Sequence, residues 1–452
     1  MGTPTMVMIA NKCPDLSVSV VDKDSDRIAA WNSNNEEDFP IYEPGLSELL
    51  FGCRGRNLEF TTDIAHAIEE CDIIFVCVNT PTKKSGFGAG KASNLAPWEA
   101  AGRMISKYSR SNKIVVEKST VPVRTAEALS SVLNGSCCAH QEEVEEKFVI
   151  LSNPEFLAEG TAMSDLCHPD RVLIGGPSTE EGRYGIKVLK EIYMRWVSGD
   201  KILTSNLWSS ELSKLVANAL LAQRVSSINS ISMLCELTGA DIAEVAQAVG
   251  SDSRIGNKFL AASVGFGGSC FRKDILNLVY LCEQLGLVQV GEYWSQVVLM
   301  NDYRKTCFVQ TIVDTMFKTI DGKLLAIFGF AFKKDTSDAR DSPAVSICLG
   351  LMNEGAHLCI YDPKVLHKTI QNELGEKNSA GSFRCVTTSS EAVQESHAIV
   401  ILTEWDEFRD LNYREMLSRM QKPAFIFDGR NILNHEALTQ IGFRVKAIGK
   451  PF

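Results

Sequence analysis

The sequence predicts an α/β protein in which two doubly wound domains with parallel sheets are joined by a helical middle domain. Over about the first 200 residues, short apolar runs rich in β-branched side chains alternate with helical patterns. From Trp208 to about Phe317 the strand patterns disappear, and Ser209-Ser210-Glu211 opens a long helical region. A second alternation of strands and helices begins at residues 324–329. The predicted domains are residues 1–206, 207–318 and 319–452.

Four strands are expected in the first domain, and polar turn residues follow each of them. The strands are residues 16–21, 73–78, 114–117 and 148–151. The turns that follow them are Asp22, Asn79-Thr80-Pro81-Thr82, Lys118-Ser119-Thr120 and Ser152-Asn153-Pro154. Because ligands bind at the carboxyl ends of parallel strands, these turns are expected to line a ligand site.

The third domain shows the same pattern on a smaller scale. Ser342 is suited to cap a helix whose first residue is Pro343, and Gly355 is suited to end it. Further strands are expected at residues 358–361, 398–402 and 425–427. Residues 372–382 are expected to form an exposed loop.

Composition narrows the class of protein. The 452 residues are 45% hydrophobic and 23% charged, which is typical of a globular chain with two or three cores. A net charge of -10 argues against non-specific binding to nucleic acid. No apolar run approaches the roughly 20 residues that span a bilayer, and no secretory signal is visible, so a cytoplasmic protein without membrane contact is expected. The fourteen cysteines contain no C-x-x-C pair, which predicts reduced thiols and no metal site.

One cysteine lies on a glycine-rich turn at residues 264–271. Gly265, Gly267 and Gly268 permit backbone angles that other residues resist, so backbone amides can face a substrate beside Cys270. Cys270 is therefore a candidate nucleophile. Arg272 and Lys273 supply positive charge that favours a thiolate, and Asp274 places a carboxylate one helical turn away. The alternative is a tight turn with an ordinary buried thiol.

Two pairs of polar residues have helical i, i+4 spacing. Lys214 and Asn218 would share one face of a helix, although an isolated lysine is more often solvated. Glu155 and Glu159 follow Pro154, where acidic residues can also complement a helix dipole. Asp22 closes a strand at the position from which an acid accepts the ribose hydroxyls of NAD, although a simple turn residue is the alternative.

Several long motifs occur in a fixed order along almost the whole chain. They are Ile-Tyr-Glu-Pro-Gly-Leu at 41–46, Val-Asn-Thr-Pro-Thr at 78–82, Glu-Lys-Ser-Thr-Val-Pro at 117–122, Ser-Asn-Pro-Glu-Phe-Leu-Ala-Glu-Gly at 152–160, the segment 208–218, the Cys270 turn, and Gly-Phe-Ala-Phe-Lys-Lys-Asp at 329–335. Together they resemble the UDP-glucose/GDP-mannose dehydrogenase family, in particular its animal-type branch that oxidises UDP-glucose. The resemblance implies two Rossmann-like domains, NAD as cofactor, and oxidation of the sugar C6 alcohol to a carboxylate through a thioester on the cysteine.

The resemblance also implies residue roles. The catalytic residues are Cys270, Lys214, Glu155 as base for thioester hydrolysis, Asn218, Asp274 and Thr120. The cofactor-binding residues are Gly2, Asp22, Arg27, Val78, Asn79, Thr80, Pro81, Thr82, Ser119, Thr120, Glu159 and Arg340. The UDP-glucose-binding residues are Glu155, Phe156, Leu157, Ala158, Glu159, Lys214, Asn218, Arg254, Phe259, Gly265, Phe266, Gly267, Phe332, Lys333 and Arg430. A homo-oligomer, either a dimer or a hexamer built from dimers, is implied, with Arg254 reaching a neighbouring site.

The chain departs from the family at its start. The family begins with an apolar strand leading into Gly-x-Gly-x-x-Gly, whereas here only the last glycine, Gly2, has a counterpart. The strands beside the missing one would lack ladder partners, so a destabilised first domain and weak NAD binding are expected. Ala261 also replaces a family lysine. Two alternatives to a UDP-glucose dehydrogenase follow: an enzyme for another nucleotide sugar, or a catalytically impaired subunit that binds UDP-sugar and assembles with full-length partners.

Overall fold

The computed structural model describes residues 2–137, 148–375 and 382–451. These residues form two compact units. The first unit contains the described chain up to Ala217 together with Leu276–Leu285. The second contains Asn218–Ile275 and the described chain from Gly286 onward.

Helices and short strands alternate through the first unit. In chain order they are α1 (Gly2–Lys12), β1 (Val18–Val21), α2 (Ser25–Asn32), α3 (Leu46–Cys53), β2 (Leu58–Thr61), α4 (Ile64–Glu70), β3 (Ile73–Val76), α5 (Ala96–Tyr108), β4 (Lys113–Glu117), α6 (Thr125–Cys137), β5 (Phe148–Ser152), α7 (Ala162–Cys167), β6 (Val172–Gly176), α8 (Glu180–Tyr193) and β7 (Ile202–Asn206). Short 3₁₀ helices occur at Glu36–Asp38 and Gly199–Lys201.

The strands of the first unit are divided between two sheets. Five strands pair in the order β3-β4-β5-β6-β7, and all of these pairs are parallel except β5 with β6. The other two strands, β1 and β2, form a separate parallel pair. Among the described residues, no strand pairs with the second edge of β1 or of β3.

Helix α1 packs against other helices of the first unit. Val7, Met8 and Ala10 are buried in one apolar cluster with Trp31 and Leu50. Every residue of β4 is buried, which is typical of a parallel strand covered by helices on both faces. The loops after β3, β4 and β5 are therefore carried on a packed framework.

Long helices dominate the middle of the chain, as expected. They are α9 (Leu207–Thr238), α10 (Ile242–Gly250), α11 (Phe271–Gln284) and α12 (Val288–Thr315). Helix α9 begins slightly earlier than predicted, because the Asn206 side chain accepts a hydrogen bond from the Ser209 backbone N–H. The non-helical segment between α10 and α11 contains the glycine-rich turn before Cys270.

A complete doubly wound sheet forms the core of the second unit. Its remaining elements are β8 (Leu324–Phe328), α13 (Pro343–Asn353), β9 (His357–Tyr361), α14 (His367–Gly375), β10 (Phe383–Cys385), α15 (Ser389–Ala392), β11 (Ala398–Ile401), the 3₁₀ helix Asp406–Arg409, α16 (Tyr413–Arg419), β12 (Phe425–Asp428), α17 (His435–Ile441) and β13 (Arg444–Ala447). Six parallel strands pair in the order β10-β9-β8-β11-β12-β13. With β8 counted as the first strand, this is the Rossmann order 3-2-1-4-5-6. The predicted fold class is confirmed.

The structure also corrects parts of the prediction. The Ser342 hydroxyl caps α13 by accepting from the Ala344 backbone N–H at 3.2 Å, as expected. The predicted loop at 372–382 is wrong for residues 372–375, which continue α14, and residues 376–381 lie outside the described chain. Strands β2, β6, β7, β10 and β13 were not predicted, because most are short or carry polar residues that weaken their alternation.

Candidate active site

The loops after β3 and β4 are hydrogen-bonded to each other at the carboxyl end of the five-stranded sheet. The Ser119 hydroxyl donates to the Val78 carbonyl at 2.6 Å. The Thr80 hydroxyl donates to the Thr120 carbonyl at 2.8 Å. Four of the predicted cofactor residues therefore lie on two neighbouring loops that support each other.

Glu155 lies on the next loop, after β5, and has two partners in the first unit. Its Oε2 atom is 3.2 Å from the Lys118 ammonium nitrogen. The same oxygen accepts a hydrogen bond from the Thr5 hydroxyl of α1 at 2.9 Å. The Lys118 side chain is 6% exposed and the Glu155 side chain is 13% exposed. The proposed base is therefore held in a fixed and largely buried position.

Lys118 is the centre of a buried polar network that the sequence did not single out. Its ammonium group donates to Asn153 Oδ1 at 3.0 Å and to the Tyr193 hydroxyl at 3.3 Å. Tyr193 in turn donates to Asn153 Oδ1 at 2.7 Å. Burial lowers the pKa of Lys118, but Glu155 and Tyr193 outweigh it and the net pKa is raised. Burial also raises the pKa of the Tyr193 hydroxyl. Lys118 therefore stays charged beside Glu155.

Lys214 lies on α9 with its side chain buried against the loop after β5. Its ammonium nitrogen is 5.5 Å from the centre of the Phe156 ring. The guanidinium carbon of Arg171, just before β6, lies 3.9 Å from the centre of the same ring. Asn218 follows Lys214 by one helical turn on α9, as the spacing predicted. Arg171 was not predicted to be functional.

Glu43 holds the far end of the loop after β5, which carries Phe156, Leu157, Ala158 and Glu159. This buried carboxylate accepts from the backbone N–H groups of Gly160 at 2.8 Å and Ala162 at 3.2 Å. Glu43 belongs to the Ile-Tyr-Glu-Pro-Gly-Leu motif. Glu43 of that motif therefore holds the loop after β5 in place.

Two buried carboxyl groups, those of Glu117 and Glu211, lie close to each other in the first unit. Glu211 of α9 accepts from the backbone N–H groups of Arg124 at 2.7 Å and Ala126 at 2.9 Å, at the start of α6. Burial and the nearby Glu211 raise the pKa of Glu117, at the end of β4, well above its ordinary value. Burial also raises the pKa of Glu211. Burial of Glu117 and its proximity to Glu211 therefore both favour the neutral form of the Glu117 carboxyl group.

The residues at the end of β1 fit the adenosine side of a dinucleotide. Asp22 follows β1 directly, and its carboxylate is 2.9 Å from the Arg27 guanidinium. Gly2 begins α1, where a Cβ atom would lie only 2.7 Å from Cβ of Cys77. The missing side chain thus permits the close approach of helix and strand that a dinucleotide fold needs at its third glycine. These residues would bind the ribose and support the diphosphate of NAD.

The glycine-rich turn of the second unit is shaped by close packing. Gly265 and Gly268 have φ angles of 130° and 87°, which favour glycine. A Cβ atom at Gly265 would lie 2.7 Å from Asn301 Oδ1, and one at Gly268 would lie 3.0 Å from the Phe332 ring. The Asn301 side chain also bonds both backbone groups of Phe266, at 2.8 and 3.0 Å. Both glycines are therefore required by the geometry.

Cys270 is exposed and directly precedes α11. Its carbonyl accepts the Asp274 backbone N–H at 2.9 Å, so Asp274 lies one turn along, as predicted. The buried Asp274 carboxylate accepts from the Asn218 amide at 2.6 Å. The expected contribution of Arg272 to thiolate formation needs correction, because its guanidinium forms an ion pair with Asp302 at 2.9 Å.

Residues at the carboxyl ends of β8, β11 and β12 gather beside the turn. The Arg430 side chain donates to the carbonyls of Leu402 at 2.7 Å and Phe332 at 2.9 Å and pairs with Glu404 at 3.3 Å. Lys333 lies 5.9 Å from the Phe332 ring centre. The carbonyl of Arg340 accepts the Gly268 backbone N–H at 3.1 Å. The structure thus groups these predicted residues around Gly268.

Two predicted substrate residues lie apart from this group on the segment after α10. Arg254 has an 87% exposed side chain that pairs with Asp252 at 2.6 Å. Phe259 is also exposed and has a φ angle of 62°. Within the described ranges, no cluster of three His, Cys, Asp or Glu side chains is arranged to hold a metal ion. In the same ranges, no helix is long and apolar enough to cross a membrane.

Comparison with known proteins covers the whole chain. Three sequence models match it: the NAD binding domain, the central domain and the UDP binding domain of the UDP-glucose/GDP-mannose dehydrogenase family, at residues 1–197, 208–303 and 326–435. "UDP-glucose 6-dehydrogenase 3" of Oryza sativa subsp. japonica is 56% identical and "UDP-glucose 6-dehydrogenase 4" of Arabidopsis thaliana is 55% identical. Each comparison covers 100% of this chain and 95% of the relative.

Solved structures show the same architecture. A UDP-glucose dehydrogenase from the archaeon Pyrobaculum islandicum matches with a TM-score of 0.83 and 25% identity, covering 99% of this chain and 95% of that one. A UDP-D-ManNAc dehydrogenase from Pyrococcus horikoshii matches with a TM-score of 0.80 at 22% identity, covering 99% of this chain and 97% of that one, and supports the fold alone.

Proposed function

Because the chain belongs to the UDP-glucose/GDP-mannose dehydrogenase family, we infer that it is an NAD-dependent oxidoreductase that oxidises UDP-glucose to UDP-glucuronate. The plant relatives with more than half of their residues identical, matched over the full length of this chain, support UDP-glucose as the substrate. They favour it over the other nucleotide sugars considered.

The proposed reaction removes two hydrides from C6 and keeps the aldehyde stage bound. When bound, NAD accepts the hydride in each oxidation. In the first oxidation the proton of the C6 hydroxyl is released to water, Lys214 stabilises the negative charge that develops on the C6 oxygen, and Asn218 orients that oxygen by hydrogen bonding. In the next step the Cys270 sulfur attacks the aldehyde carbon to give a thiohemiacetal, whose own hydride is then removed to leave a thioester.

Hydrolysis of the thioester completes the proposed cycle. Glu155 takes a proton from water as the water oxygen attacks the thioester carbon, and the Cys270 thiolate leaves. Thr120 and Asp274 help to position that water. The ion pair between Glu155 and Lys118 supports this role, because it holds the Glu155 carboxylate in a fixed position. The Asn218–Asp274 hydrogen bond supports a shared position for these two side chains.

Further residues are assigned by the family resemblance. Lys333 and Arg430 would bind the UDP group, and the UDP binding domain model that covers residues 326–435 supports this. The domains would run over residues 1–206, 207–318 and 319–452. The free cysteines of the described chain fit a cytoplasmic location. A dimer, or a hexamer built from dimers, would let the exposed Arg254 reach a neighbouring site.

The observation that carries the mechanism is the exposed thiol of Cys270 on a glycine turn that only glycine can form. A stoichiometric assay tests it: the chain is supplied with UDP-glucose and saturating NAD, and NADH and UDP-glucuronate are both counted. Two NADH for each UDP-glucuronate are expected. GDP-mannose and a UDP-N-acetyl sugar in parallel reactions should be oxidised far more slowly. One NADH with a released aldehyde, or faster oxidation of another sugar, would contradict the proposal.

A further inference from the structure

Arg171, just before β6, is half-buried. Its guanidinium forms no hydrogen bond or ion pair in the part of the chain that the structure describes. Its contact is instead with the face of the Phe156 ring, 3.9 Å from guanidinium carbon to ring centre. A planar guanidinium at this distance gains both stacking and cation–π attraction. An arginine that served only solubility would point its donors into water.

The same ring also contacts Lys214. The Lys214 ammonium lies 5.5 Å from the ring centre, within the range of a cation–π interaction. Arg171, Phe156 and Lys214 therefore form a three-member cluster, which we call the Phe156 stack. Its members come from three separate segments: the residue just before β6, the loop after β5, and α9.

The Phe156 stack reaches two of the proposed reacting groups. Lys214 is one member, and Glu155 is the chain neighbour of another. A phenylalanine ring held by a guanidinium has less freedom to rotate, and this fixes the backbone that carries Glu155. It also fixes the surface against which the flexible lysine side chain rests. Both effects fix the positions of the Glu155 carboxylate and the Lys214 ammonium. Small displacements of such reacting groups lower the rate of catalysis strongly.

We propose that Arg171 is a positioning residue for the oxidation of UDP-glucose, acting through the Phe156 ring to hold Lys214 and Glu155 in their reactive positions. The proposal rests on the proposed function, since it assumes that those two residues act in the reaction. Arg171 itself does not touch the reacting atoms in this account. Its charge is not the essential property, because the planar shape of its head group provides the stacking.

The test compares kcat and KM for four single variants and one double variant. Arg171→Met removes the planar cation but keeps a long apolar stem. It is expected to lower kcat about 3- to 30-fold, the range of a cation–π contact, with little change in KM for UDP-glucose. Phe156→Leu should lower kcat similarly, whereas Phe156→Tyr keeps the ring and should lower kcat less than Phe156→Leu does. Arg171→Lys keeps the charge without the plane and should recover only part of the rate.

The double variant and a matched control decide between positioning and general damage. If the two side chains act as a unit, Arg171→Met should add little to Phe156→Leu. Lys107→Met removes a cation 4.9 Å from the Tyr108 ring on α5, outside the site, and should leave kcat unchanged. Thermal unfolding of each variant is measured alongside. Should Arg171→Met fail to fold, the comparison of Arg171→Lys with Phe156→Leu and Phe156→Tyr replaces it.

Several results would overturn the proposal. Normal kcat in Arg171→Met, additive losses in the double variant, or a loss confined to KM would each do so while leaving the proposed function intact. Full activity in Lys214→Ala would remove the role of Lys214 and this inference with it, and no oxidation of UDP-glucose by the unaltered chain would remove the proposed function as well.

Discussion

The Lys118 ammonium and the Glu155 carboxylate form an ion pair at 3.2 Å, in which neither side chain is more than 13% exposed. Such a pair is costly to break, because removing one partner leaves the other charge buried without compensation. The remaining hydrogen bonds of Lys118, to Asn153 and Tyr193, anchor it from behind. The proposed base is thus held by a lysine that takes no part in the chemistry.

Replacement of Lys118 should therefore affect both stability and hydrolysis. We expect Lys118→Met to reduce the free energy of unfolding by about 3–5 kcal/mol, the usual cost of breaking a buried ion pair. Urea unfolding measures this. Lys187→Met, which breaks an exposed pair with Glu191 at 3.9 Å, is the control and should change stability by less than about 1 kcal/mol. Equal effects in the two variants would contradict the buried-pair account.

The Glu117–Glu211 pair predicts a dependence of stability on pH. The pKa of Glu117 is raised by burial and by Glu211, so the folded chain retains a proton that the unfolded chain releases above about pH 4.3. Stability from this group is complete below that pH and is lost as the pH rises towards the folded pKa. Glu117→Gln, which is neutral at every pH, should therefore gain stability relative to the unaltered chain as the pH rises above about 4.3.

Thermal unfolding at several pH values measures this gain. Glu70→Gln, which changes an exposed glutamate on α4, is the matched control and should show no trend. A Glu117→Gln variant whose melting temperature differs from that of the unaltered chain by the same amount at every pH would show that folding does not raise the pKa of Glu117.

Gly268 should be intolerant of any side chain. Its φ angle of 87° and the 3.0 Å approach of a Cβ atom to the Phe332 ring make Gly268→Ala strained on two counts. We expect a loss of more than about 1 kcal/mol in stability and a fall in kcat, since the turn carries Cys270. Gly286→Ala is the control, because it also has a positive φ angle but open space around its Cβ position. Similar loss of kcat in both variants would show that backbone strain alone is responsible.

The sequence predicts most of the fold because its strands are apolar and their turns are polar. Residue type and spacing predict the turns after β4 and β5, the Ser342 cap and the Cys270 turn. They do not predict which residues distant in sequence contact each other. Nothing in the sequence around Arg171 or Tyr193 marks it as functional. Only the folded chain brings Arg171 to Phe156 and Tyr193 to Lys118. The Arg272–Asp302 pair was hidden for the same reason, since 30 residues separate its members.

The central claim, a thioester on Cys270, is tested most directly by the mass of the Cys270 peptide. Glu155→Gln removes the proposed base, so the thioester should form and then hydrolyse slowly. After incubation with UDP-glucose and saturating NAD, the account predicts a UDP-glucuronyl group on the Cys270 peptide and on no other cysteine. The adduct should be absent from the Glu155→Gln, Cys270→Ser double variant. An unmodified Cys270 peptide from a Glu155→Gln chain that still produces UDP-glucuronate would contradict the account.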